Sequence, residues 1–220
     1  MSSKNISIIV NHEKCPHNCW FCIWKGHPLE NIYGPKIEAI ENFLLKYKEK
    51  GYTKFSISGS DIIFEELDKY QDFWDNINKL CNHVCIRFDI HTRSRIYDRY
   101  FIQNENLRKL VLSTSSISDV IKYLDWSYYI NPELQIRLVK VITDTTSDYE
   151  IQDYIRLCLN YNIQMTFKQL VNYDDENKYK YFKSKYKNTH RNTVFLDKGD
   201  YNIYLMPDGK EYNEFLIGGQ

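Results

Sequence analysis

The stretch ISIIVNHEKCPHNCWFC, residues 6–22, runs a β-branched segment straight into three closely spaced cysteines. Residues 6–10 read as a buried strand, being apolar, β-branched and too short for a helix. A loop follows at once, and Cys15, Cys19 and Cys22 all lie on it. In folds built from strand–helix repeats, chemistry collects at the carboxyl ends of the strands. The question is whether this strand is the first of such a series.

Further β-branched runs at 54–58, 84–90, 107–113, 134–142 and 162–171 read as strands. Helical patterns fill the gaps. The first has Pro35 at its start, Ile37, Ile40 and Leu44 on one face, lysines at 46, 48 and 50, and Gly51 just beyond. The second places Ile63, Leu67, Tyr70, Trp74, Ile77 and Leu80 at helical spacing. A shorter one holds Val120, Ile121 and Leu124 behind Ser118, and another opens on a capping box, Ser147 to Glu150. Six strands alternating with helices predict an α/β fold with a parallel sheet that curls through right-handed crossovers. The core spans 1–172. Residues 173–220 read as a short C-terminal extension, with a basic helix-like segment and a β-hairpin around Pro207-Asp208-Gly209.

A chain of 220 residues buries a sufficient core without disulfide or metal staples. With 29 basic and 29 acidic residues, its net charge is zero, so gross charge gives no pull toward nucleic acid or an anionic membrane. The first apolar run is too short for a signal-peptide core, and no segment reaches the ~20 apolar residues that span a bilayer. The expectation is a soluble cytoplasmic protein. Reduced cysteines are the default there, so a cysteine cluster points to metal or catalysis.

Three cysteines are one short of a closed structural zinc site. A cubane [4Fe–4S] cluster resolves the count: three thiolates hold three irons and leave the fourth with an open position, as a catalytic centre requires. The spacing C-x3-C-x2-C lets one loop wrap a cluster corner. Trp20 and Phe21, between the second and third ligands, would help exclude water.

CPHNCWFC resembles the cluster loop of the radical S-adenosylmethionine superfamily, C-x3-C-x-aromatic-C, with Phe21 in the aromatic position. In that family the loop follows strand one of a partial (β/α)6 barrel, and here it follows the first of six predicted strands. The resemblance implies Cys15, Cys19 and Cys22 as cluster ligands. It implies S-adenosylmethionine on the open iron, cleavage to a 5′-deoxyadenosyl radical, and an electron donor such as flavodoxin or ferredoxin. Other positions are carried over one at a time. Where the family has Gly-Gly-Glu-Pro after strand two, this chain has Ser58, Gly59, Ser60 and Asp61, lacking the second glycine, the glutamate and the proline. Asp61 supplies an acceptor there. Thr92 matches a threonine contacting S-adenosylmethionine, Ser113 a serine after strand four, and Lys140 a polar residue on strand five.

The competing readings are plainer. The cysteines fit a structural zinc site if His12, His17 or His27 completes it, and His17 reads as a loop surface residue. Ser60 or Asp61 reads as a helix cap. The run 178–191 carries six basic residues and interleaved aromatics, which suits nucleic acid, but an amphipathic helix packing its aromatics is preferred. The expected substrate is a small nucleotide-like or heterocyclic molecule. Two alternatives stand beside it: an enzyme that installs a glycyl radical on a protein partner, and a non-catalytic metal-binding or electron-transfer module.

Overall fold

The computed structural model describes residues 5–11, 14–17, 19, 22, 24–25, 27, 29, 32–114, 116–169, 177–187, 191–197 and 202–213. The chain forms two compact units, one of residues 1–109 with 201–220 and one of residues 110–200.

The first unit begins with β1 (Ile6–Val10), α1 (Ile37–Lys48), β2 (Lys54–Gly59), α2 (Ile62–Glu65), α3 (Gln71–Val84), β3 (Arg87–Thr92) and α4 (Arg99–Ile102). The chain returns late with β8 (Ile203–Leu205) and β9 (Glu211–Tyr212). Here the strand order is β3-β2-β1-β8-β9, parallel throughout except for β9 on β8. Alternation along each strand gives two unlike faces. On one, Ile8 lies beside Ile57 and Ile57 beside Ile90. Trp74 of α3 packs there, 6.2 Å from the Phe88 ring and 5.6 Å from Phe64. Its indole N–H donates to the Ile63 carbonyl at 3.1 Å, so the ring is buried without an orphaned donor. Burial of each such aromatic contributes about 1.5–3 kcal/mol. The other face is polar: Ser7 Oγ lies 2.6 Å from Ser56 Oγ, and Asp89 pairs with Arg108.

Residues 62–84 do not form the single helix that the apolar spacing suggested. The helix stops at Glu65 and restarts at Gln71, which lets Trp74 reach the Ile63 carbonyl. The C-terminal hairpin forms around 207–209, with Gly209 N donating to the Met206 carbonyl at 2.9 Å. It is part of the sheet, since β8 lies parallel against β1 with Ser7 opposite Tyr204. Lys46 and Tyr47 of α1 grip Glu211 of β9, at 2.7 Å and 3.0 Å.

Strand β4 (Leu107–Ser113) begins in the first unit and ends in the second. The second unit continues with α5 (Ile117–Ile130), β5 (Gln135–Ile142), α6 (Asp148–Asn160), β6 (Gln164–Gln169), α7 (Asn177–Tyr186) and β7 (Thr193–Leu196). Strands β5, β6 and β7 lie in that order, all parallel. Strand β7 was not anticipated from its four residues; Phe195 holds it by packing 5.1 Å from Phe167 and 6.0 Å from Tyr179. The cap of α6 forms as predicted, Ser147 Oγ accepting from Glu150 N at 3.1 Å. Most of the basic segment lies in α7, which packs its aromatics inward, with Tyr179, Phe182 and Tyr186 buried.

Candidate metal and cofactor site

The loop after β1 carries three free thiols, Cys15 and Cys19 partly buried and Cys22 exposed. Phe21 lies outside the described residues. Burial raises the Cys15 thiol above its ordinary pKa, and hydrogen bonds from the backbone N–H groups of Asp61 and His17 pull it back. Cys19 Sγ receives the Arg93 guanidinium, with Nη1 at 2.8 Å. Two of the three sulfurs thus receive N–H donors, the kind of contact that a metal-bound sulfur also accepts. Among the described residues, no three His, Cys, Asp or Glu side chains converge as they do on a single metal ion. A cubane makes no such demand, because each thiolate binds a separate iron. Soft sulfur donors on a partly open loop suit an iron–sulfur group.

Gly59 brings β2 against the root of this loop. Its φ is +133°, and a Cβ there would fall 1.8 Å from the Val10 carbonyl oxygen. The close approach lets Ser60 N donate to that same oxygen at 2.8 Å. Gly59 therefore serves strand contact, with Ser60 buried and Ser58 half-buried beside Ile9.

Asp61 is 5% exposed and makes no side-chain cap on α2. Its Oδ2 reaches across to the segment after β3. It accepts from Thr92 Oγ1 at 3.0 Å, Arg93 N at 2.5 Å, Ser94 N at 2.9 Å and Ser94 Oγ at 3.3 Å. Two residues carried over separately, Asp61 and Thr92, are thereby bonded to each other. His17 is not the surface residue expected. Its Nε2 lies 3.0 Å from Ser94 Oγ, 3.2 Å from Asp61 Oδ2 and 3.5 Å from Glu65 Oε1, tying the cysteine loop to the same carboxylate. His17 entered the sequence reading only as a candidate zinc ligand or a loop surface residue, and Arg93 and Ser94 were given no role. The only signal was their place beside a cysteine or at a strand end.

Ser113 and Lys140 belong to the second unit. Ser113 is exposed at the end of β4. Lys140 points toward α6: its Nζ donates to Glu150 Oε1 at 2.5 Å and stands 5.8 Å from the Tyr154 ring centre. It shares a strand face with the buried Leu138 and Ile142, while Arg137, Val139 and Val141 take the other. The lysines of α7 meet acids, Lys185 with Asp148 at 2.8 Å and Lys183 with Asp197, which weakens the nucleic-acid reading of that segment. Cys81 and Cys158 are buried core thiols, each pushed up to about 12 by burial.

No protein-family model and no curated protein matches this chain. Solved structures do. The chain is similar to Streptococcus suis SuiB bound to the precursor peptide SuiA, with TM-score 0.63 and 17% identity over 89% of this chain and 49% of that one. It is similar to SuiB bound to S-adenosylmethionine, with TM-score 0.61 and 18% identity over 90% of this chain and 48% of that one. The chain thus spans about half the length of the structures it matches. At this identity the likeness establishes the fold, a mostly parallel α/β sheet with its helices, in keeping with the predicted partial-barrel class. Among the described residues, no helix is long and apolar enough to cross a membrane.

Proposed function

We propose that this protein is a radical S-adenosylmethionine enzyme whose [4Fe–4S] cluster is held by Cys15, Cys19 and Cys22. The observation that carries the reading is the three-cysteine loop directly after β1, with Cys15 and Cys19 receiving N–H donors. The fold likeness to a protein solved with S-adenosylmethionine supports it. The chemistry supplied when such a cluster is bound is one-electron cleavage of S-adenosylmethionine to a 5′-deoxyadenosyl radical, which takes hydrogen from a substrate.

The chain's own groups orient and enclose. Gly59 seats β2 on β1, so the cysteine loop leaves the sheet from a fixed point. Asp61 braces the loop and the segment after β3 against each other. Because Asp61 Oδ2 is so heavily engaged, its role here is positioning more than accepting from a cofactor amino group. Ser58, Thr92 and Ser113 remain candidates for cofactor contact, whereas Lys140 is occupied by Glu150. An external one-electron donor of the flavodoxin or ferredoxin kind completes the reaction.

For the substrate, the precursor peptide bound to SuiB in one of the matching structures favours a peptide. A small nucleotide-like molecule is the second reading. Anaerobic reconstitution with iron and sulfide, followed by S-adenosylmethionine and a strong reductant, should yield 5′-deoxyadenosine, and Cys19→Ala should abolish both iron binding and product. Zinc retention without cleavage would overturn the proposal. Stimulation of deoxyadenosine formation by peptide pools or by small heterocycles separates the two substrate readings.

A further inference from the structure

We infer that Arg93 is a positioning residue for the metal centre, donating a charged hydrogen bond to the Cys19 sulfur and raising the reduction potential of the bound cluster. The inference rests on the proposed function and deepens it. Arg93 Nη1 stands 2.8 Å from Cys19 Sγ, across 74 positions of sequence. The guanidinium is aimed by its own backbone: Arg93 N donates to Asp61 Oδ2 at 2.5 Å, between the Thr92 and Ser94 bonds to the same oxygen. Arg95 Nη1 holds the Arg93 carbonyl at 2.7 Å, so both ends of the Arg93 peptide backbone are tethered. Cys19 is reached from the other side by its own loop, which His17 ties to Asp61 at 3.2 Å. Both partners of the N–H···S contact thus hang from one buried carboxylate.

The physical consequence follows from charge. A cluster gains an electron on reduction, and that charge spreads onto its thiolate sulfurs. A fixed cation donating to one of those sulfurs stabilises the reduced form more than the oxidised form, so its removal lowers the potential. Arginine suits this better than lysine because its charge is permanent and its planar fork keeps its direction.

The experiment compares clusters reconstituted in wild-type protein, Arg93→Met and Arg93→Lys, without S-adenosylmethionine. Iron and sulfide content is measured first, then the midpoint potential by EPR-monitored titration. The expected result for Arg93→Met is a more negative potential at equal iron content, by about 59 mV if the reduced-to-oxidised ratio at fixed poise falls tenfold. Arg93→Lys should show a smaller shift in the same direction. If Arg93→Met fails to take up the cluster, Arg93→Lys carries the comparison, again expected below wild type. Equal potentials at equal occupancy would overturn this inference while leaving the proposed function standing. A wild-type protein that takes up no cluster would overturn both.

Discussion

Replacing Asp61 by asparagine tests whether this carboxylate braces the fold or waits for a cofactor. The side chain keeps its size, so no cavity forms. What changes is the charge on an oxygen that accepts three short bonds, from Thr92 Oγ1, Arg93 N and Ser94 N, and a longer one from Ser94 Oγ. Hydrogen bonds to a charged partner contribute about 1.5–3 kcal/mol, against about 0.5–1.5 for neutral ones. Neutralising the acceptor therefore costs roughly 1 kcal/mol per short bond, or about 2–3 kcal/mol where the bonds share one oxygen. Asparagine also brings an NH2 group to a site full of donors, so none of this is recovered by rotating the amide. For a chain of this length each kcal/mol moves Tm by about 2–4 °C. The cofactor-free protein should then melt roughly 5–10 °C lower, read by circular dichroism or scanning fluorimetry. An acceptor reserved for S-adenosylmethionine would leave the cofactor-free Tm where it was. A fall of less than about 2 °C would refute the brace.

Other outcomes follow from the same structure. Gly59→Ala should destabilise by about 3 kcal/mol or more, from an unfavourable φ and from a Cβ driven onto the Val10 carbonyl, with urea unfolding as the measure. Cys81 and Cys158, each near 12, should resist iodoacetamide at pH 8 while Cys22 and Cys85 react, as peptide mass mapping would show. The same two thiols ionise from their ordinary 9.0 once the chain unfolds, so the unfolded state holds fewer protons between about pH 9 and 12. Their contribution to stability must then fall as pH rises through that window, which melting at pH 8 and pH 10.5 would detect. Removing residues 201–220 strips β8 from the edge of β1, and the bared strand should lower Tm and promote aggregation by light scattering.

Much of this was legible before any tertiary structure. Six of the strands and the principal helices follow from local pattern, because β-branched runs and 3.6-residue periodicity act within a few residues. The cysteine spacing is likewise local, since three thiols on one short loop can be read without any distant partner. The buried aromatics of α7 were similarly readable from their spacing.

What local pattern left open was long-range partnership. Nothing near Asp61 indicates that it faces residues 92–94, since a carboxylate before a short helix reads equally well as a cap. Lys140 was placed toward a cofactor because polarity on a strand gives no face, and only the packing of α6 turns it to Glu150. β7 was too short to register, and β8 is a strand whose partner, β1, lies almost the whole chain away. Sequence alone set three thiols on one short loop directly after the first strand. Tertiary structure decided what surrounds it, because the Arg93 donor and the Asp61 carboxylate meet the loop only when β1, β2 and β3 are laid side by side.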